Sequence, residues 1–98
     1  MYRVAVLYGQ PTDAASFDEY YHNTHMPIAQ KMPGLQGATI TKCETLDGTA
    51  PAFYIITELQ FESREAAAAG LGSPEGRAAG ADVANFATGG VQMAFLPG

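Results

Sequence analysis

The chain has 98 residues, 47% of them hydrophobic and 15% charged, with a formal charge of −5. That length predicts one domain spanning residues 1–98, because two halves would each be too small to bury a core, and the apolar fraction excludes a disordered chain. The cations Arg3, Lys31, Lys42, Arg64 and Arg77 are scattered and form no basic stripe, so no nucleic-acid partner and no anionic membrane partner are expected.

The first strand is predicted over Tyr2–Tyr8, with Tyr2, Val4, Val6 and Tyr8 on one face and Arg3, Ala5 and Leu7 on the other. The opening segment lacks a basic stretch and a small-residue cleavage site, so it does not read as a secretory signal. With Cys43 the lone cysteine, a cytoplasmic location is expected.

Gly9-Gln10-Pro11 breaks the strand, and Thr12 or Asp13 is placed to cap a helix. Phe17, Tyr21, Thr24 and Ile28 recur at helical spacing and predict its core stripe, with Glu19, Asn23 and Gln30 on the wetter side. Pro27 disfavours α geometry at Met26 and removes a backbone donor, so a bend or restart is expected there. Pro33-Gly34 ends the helix.

Gly37–Leu46 and Phe53–Phe61 read as two strands of an antiparallel hairpin around the Asp47–Pro51 turn. Ser63 caps a helix over Arg64–Ala69 that Gly70 and Gly72 are expected to stop. Ser73-Pro74-Glu75 restarts a helix, with Val83 and Phe86 facing inward. After Gly89-Gly90, Val91–Leu96 is the last strand.

The order β-α-β-β-α-β predicts an α+β, ferredoxin-like fold with one four-stranded antiparallel sheet and helices on one side. Apolar residues on the second face of the first and third strands predict a sheet-to-sheet homodimer.

His25 is the leading candidate for chemistry, since an imidazole near a helix break can accept and return a proton near neutral pH. The competing reading is a histidine that merely caps a carbonyl. Asp18, His22 and His25 line one helical stripe, but successive turns of one helix seldom surround an ion without a further ligand, and no metal-binding motif is present. No metal is expected, and Asp18–His22 reads as a solvated pair.

Tyr8, Tyr20, Tyr21 and Tyr54 offer flat apolar rings with polar tips, suited to an aromatic ligand and equally to a core or an interface. Asp82 would orient a histidine of the first helix if both helices cover the same sheet face; otherwise it is a surface acid near Asn85. Catalytic candidates are thus His25, Tyr21 and Asp82, with Tyr8, Tyr54, His22 and Phe86 expected to bind substrate. The glycine-rich segments do not fit a phosphate loop, and no cofactor is expected.

Phe17-x-x-Tyr20-Tyr21-x-x-x-His25-x-Pro27, Pro33-Gly34-Leu35, Ser73-Pro74-Glu75-Gly76 and Asp82-x-x-Asn85-Phe86-x-x-Gly89-Gly90-Val91 together resemble the EthD family, named after a protein of ethyl tert-butyl ether degradation. The resemblance spans nearly the whole chain. It implies a dimeric α+β barrel with a pocket between helices and sheet, and kinship with small cyclases, isomerases, cofactor-free monooxygenases and haem-degrading enzymes. The expected function is cofactor-independent acid–base chemistry, namely dehydration, cyclisation or isomerisation, on a small apolar or aromatic oxygenated compound. The alternatives are a non-catalytic accessory protein that binds a pathway intermediate and a haem-associated or oxygen-activating protein using His22 or His25.

Overall fold

A computed structural model describes residues 1–98. Four strands, β1 (Tyr2–Gly9), β2 (Gly37–Lys42), β3 (Phe53–Phe61) and β4 (Val91–Leu96), form one antiparallel sheet in the order β2-β3-β1-β4. β1 and β3 occupy the centre, as their apolar content on both faces requires, and β2 and β4 form the edges. The hairpin is shorter than its sequence suggests, because β2 ends at Lys42 instead of Leu46.

Register decides which side chains share a face. Val4, Val6 and Tyr8 stand opposite Leu59, Thr57 and Ile55 on one side and Phe95, Met93 and Val91 on the other. The β1 and β3 members of this layer are buried beneath the helices. The β4 members remain exposed at 42%, 49% and 53% for Val91, Met93 and Phe95, because no helix reaches over that edge. The opposite sheet face is mixed. Leu7, Ile56, Ala94 and Leu96 are half-buried there, around an Arg3–Glu58 pair.

The helical layer begins with α1 (Ala14–Tyr20), where the Asp13 side chain accepts a hydrogen bond from the amide of Ser16. The helix then widens into a π turn at Tyr21–His25 and continues as α2 (Met26–Ala29). The Met26 amide reaches back to the carbonyl of Tyr21, and Pro27, with no N–H, cannot extend that wider register. Met26 itself keeps helical angles, φ −62° and ψ −38°, so the expected bend at that residue is replaced by a π turn just before it.

The consequence is a phase shift of one residue. Unbroken α spacing after Tyr21 would bury positions 24, 25 and 28, whereas the buried residues are His25, Met26 and Ala29. Thr24 is exposed and Ile28 only half-buried, which corrects the core stripe read from sequence.

α3 (Arg64–Gly72) runs through Gly70 and ends at Ser73, longer than predicted. α4 (Pro74–Asp82) starts at once, with the Ser73 hydroxyl accepting from the Gly76 amide at 3.0 Å, and passes into a short 3₁₀ turn, Val83–Asn85. This abrupt corner is why position 76 is glycine: a Cβ there would lie 2.2 Å from the carbonyl oxygen of Gly70. No helix is long and apolar enough to cross a membrane.

The two α4 glycines should behave oppositely. Gly80 has open space where a Cβ would go, so Gly80→Ala should stabilise the fold by about 0.5–1 kcal/mol through helix propensity and a less flexible unfolded chain. Gly76→Ala should destabilise it by about 1–3 kcal/mol, since backbone atoms would have to part. Urea midpoints of the two variants check this; equal shifts would contradict the packing described.

Candidate functional site

His25 closes the π turn and lies beneath the end of α4, only 5% exposed. There its Nδ1 lies 2.9 Å from Oδ2 of Asp82. The second oxygen, Oδ1, accepts hydrogen bonds from the Tyr20 hydroxyl at 2.6 Å and the Asn85 amide at 3.1 Å. Burial pushes the Asp82 carboxyl up, but the hydrogen bonds from Tyr20, His25 and Asn85 outweigh it and hold the group below its usual range. Asp82 is therefore ionised at neutral pH.

A carboxylate only accepts, so the hydrogen between the two groups belongs to Nδ1. The remaining nitrogen, Nε2, has no partner in the chain, yet no fully buried side-chain nitrogen or oxygen lacks one. Nε2 is thus open, and the space beside it is a cavity of about 460 Å³.

The cavity lies between the helices and strands β1, β3 and β4 of the sheet. Val6, Met26, Ala29, Met32, Leu59 and Leu71 are among the residues of its apolar wall. Its polar groups are few: His25, the hydroxyls of Tyr8, Tyr21 and Thr57, and Arg77. An apolar hollow with a few converging polar groups is the usual form of a small-molecule site.

Tyr21 stacks on His25 with centroids 5.6 Å apart at 20°, and its hydroxyl is hydrogen-bonded to Thr57. Burial pushes the Tyr21 phenol up against the opposing effect of hydrogen bonds from Thr57 and Tyr8. Burial, reinforced by the neighbouring Tyr21, raises Tyr8 strongly. Both hydroxyls therefore stay protonated; Tyr8 donates to Tyr21, and Tyr21, accepting from Tyr8 and Thr57, keeps its own hydrogen for a ligand oxygen.

The structure brings His25, Tyr21, Asp82 and Tyr8 together and places the other candidates differently. Phe86 backs the site: its ring packs 4.6 Å from that of His25 and also touches Tyr8, Phe17, Tyr20 and Tyr21, but it is not on the cavity wall. Tyr54 lies at a register slip opposite Tyr8 and Gly9, packs edge-on against Phe17, and donates to Asp18 at 2.8 Å. Asp18 pairs with Lys42 at 2.8 Å, where a solvated pair with His22 was expected, and His22 is exposed. Asp18, His22 and His25 do not converge on a common point for a metal.

Sequence reasoning missed Met26, Met32, Thr57, Arg77 and the β4 residues Val91, Met93 and Phe95 as lining residues. A usable signal existed for β4, whose alternation Val-Gln-Met-Ala-Phe-Leu presents three bulky apolar side chains on one face. Arg77 had a weaker one, as a lone long side chain in the run Gly76-Arg77-Ala78-Ala79-Gly80.

The Asp82 carboxyl titrates below its unfolded value of 3.8, so its contribution to stability is complete above about pH 5 and is lost as pH falls through the folded value. Asp82→Asn should cost about 1–3 kcal/mol at about pH 5, measured by urea unfolding, and the deficit should shrink toward about pH 3. An equal deficit at both pH values would contradict an ionised Asp82.

The EthD domain model matches residues 9–90. An uncharacterised 11.0 kDa protein from the thcB–thcC intergenic region of Rhodococcus erythropolis is 47% identical over 95 residues, covering 97% of this chain and 92% of that protein. The crystal structure of an ethyl tert-butyl ether degradation (EthD) family protein from Bacillus halodurans C-125 superposes with a TM-score of 0.93 at 31% identity, covering 100% of this chain and 98% of the other. A dimeric ferredoxin-like protein of unknown function from Thermobifida fusca YX shares the fold at 16% identity, with a TM-score of 0.71 over 97% of this chain and 88% of that one. On the family match, the full-length relative and the near-identical fold, the chain belongs to the EthD family.

Proposed function

We propose that this protein is a small, cofactor-independent enzyme that moves a proton on an apolar or aromatic oxygenated molecule held in the cavity beside His25. The observation that carries this reading is the buried His25–Asp82 pair, which leaves Nε2 unpartnered in a histidine that lines an apolar hollow. A buried carboxylate held by hydrogen bonds is a poor device for stability compared with apolar packing, and a histidine oriented by a carboxylate is a common device for proton transfer.

The roles follow from the geometry. Nε2 takes a proton from a carbon next to a carbonyl, and the electrons of that C–H bond move onto the carbonyl oxygen. Donation from the Tyr21 hydroxyl, itself held by the Tyr8 hydroxyl, stabilises the enolate oxygen. Asp82 holds the tautomer and offsets the charge of the imidazolium formed. Return of the proton to another carbon completes an isomerisation. Its delivery to a departing hydroxide, which leaves as water, completes a dehydration.

The test is deuterium incorporation next to the carbonyl of a panel of aryl ketones and cyclic diketones, followed by proton NMR. Wild type should accelerate exchange for at least one compound, and His25→Ala should slow it by about 10²–10⁴-fold. Binding without exchange in wild type would overturn the enzymatic reading in favour of a carrier of the same class of molecule.

We also propose that two copies associate. The edge strands β2 and β4 are unpaired, and Val91, Met93 and Phe95 are left 42%, 49% and 53% exposed. The Thermobifida fusca protein of the same fold is described as dimeric. Sedimentation equilibrium at micromolar concentration should give about twice the 10.3 kDa chain mass. The monomer mass would count against association.

A further inference from the structure

We propose that the ligand of this cavity is an anion, an apolar body carrying a carboxylate or similar acidic group, and that Arg77 at the cavity wall receives that group. The proposal rests on the reading of the cavity as a ligand site and adds the class of ligand it selects.

The charge distribution points this way. The protein has ten acidic and five basic residues, yet no Asp or Glu lines the cavity, whereas Arg77 does. Asp82 stands behind His25 with both oxygens occupied. The cavity therefore carries a positive lining inside a protein of net charge −5.

Arg77 is also unspent. Arg3 pairs with Glu58 and Lys42 with Asp18, but Arg77 forms no ion pair and no side-chain hydrogen bond. It sits in the first half of α4 (Pro74–Asp82), near the positive end of the helix, where an acid would be the stabilising choice. A cation placed there without a partner is a group available to an incoming anion. A guanidinium offers a fixed fork of donors that matches a carboxylate, and it stays charged at any working pH.

The opposing interpretation is that the Arg77 stem simply covers apolar surface while its head rests in water. The two differ in what happens when charge is removed and the stem kept. Two fluorescent probes of like shape make the comparison: anionic 8-anilinonaphthalene-1-sulfonate and neutral N-phenyl-1-naphthylamine. Variants are Arg77→Met, which keeps an apolar stem, and Arg77→Lys, which keeps charge. Gly80→Leu serves as a steric control, because Gly80 lines the cavity and has open space at its Cβ position.

Arg77→Met should weaken the anionic probe by about tenfold and leave the neutral probe within about twofold. Arg77→Lys should retain most of the preference, added salt should reduce it, and Gly80→Leu should weaken both probes. If Arg77→Met leaves the anionic probe unchanged, or weakens both probes equally, the anion inference is overturned while the cavity reading stands. If wild type binds neither probe, or Gly80→Leu affects neither, the cavity is not the ligand site and both readings fall together.

Discussion

The carboxylate of Asp82 is the point on which the helical layer and the site both turn. It comes from the end of α4, and two of its three partners, Tyr20 and His25, come from the irregular first helix. Taking that charge out of water is costly unless every lone pair is engaged, and here both oxygens are. Each partner is therefore constrained: the two helices must lie side by side on the sheet, and the imidazole must present Nδ1 to the acid. What remains of the histidine, one unpartnered nitrogen, is defined by what Asp82 consumes.

The π turn supplies the other half of the constraint. Without its extra residue, the burial phase would have run through Thr24 and Ile28. Instead the phase moves on by one residue, so that Met26 turns inward as part of the cavity wall beside His25, its polar centre. A widened helical turn costs some hydrogen-bond quality, and such turns recur at functional sites for the reason visible here: they re-aim a side chain that regular geometry would misplace. The aromatic cluster of Tyr8, Phe17, Tyr21 and Phe86 then clamps the turn in place, with Phe86 packed against the imidazole itself.

Glycine and charge shape the cavity from the far side. Gly76 lets α3 and α4 meet at a sharp corner, and Gly80 leaves room at the wall. Arg77 between them brings a charge to an otherwise uncharged rim. Along β4 the helix cover stops short, so three apolar side chains are left between cavity and solvent. The fold thus produces a deep polar end near His25 and an apolar rim near β4.

Element order and type were legible in the sequence because they depend on local rules. Alternation in Tyr2–Tyr8 and Phe53–Phe61, caps at Thr12 or Asp13, Ser63 and Ser73, and the breaks at Pro33-Gly34 and Gly89-Gly90 gave the ferredoxin-like order without any tertiary information. His25 could be nominated because the chain has only two histidines, Tyr21 because it shares their stretch, and Asp82 because it lies near the end of the second helix. Which way each one points was not legible. Helical phase past Tyr21 depended on a single extra residue, and the distance between His25 and Asp82 depended on two helices packing across 57 positions of sequence. The same holds for Tyr54, which a register slip sends to Asp18, and for Arg77, whose significance comes from the carboxylates that are absent around it. Local pattern determined the elements of this protein; long-range packing alone decided which of its few polar side chains share one cavity.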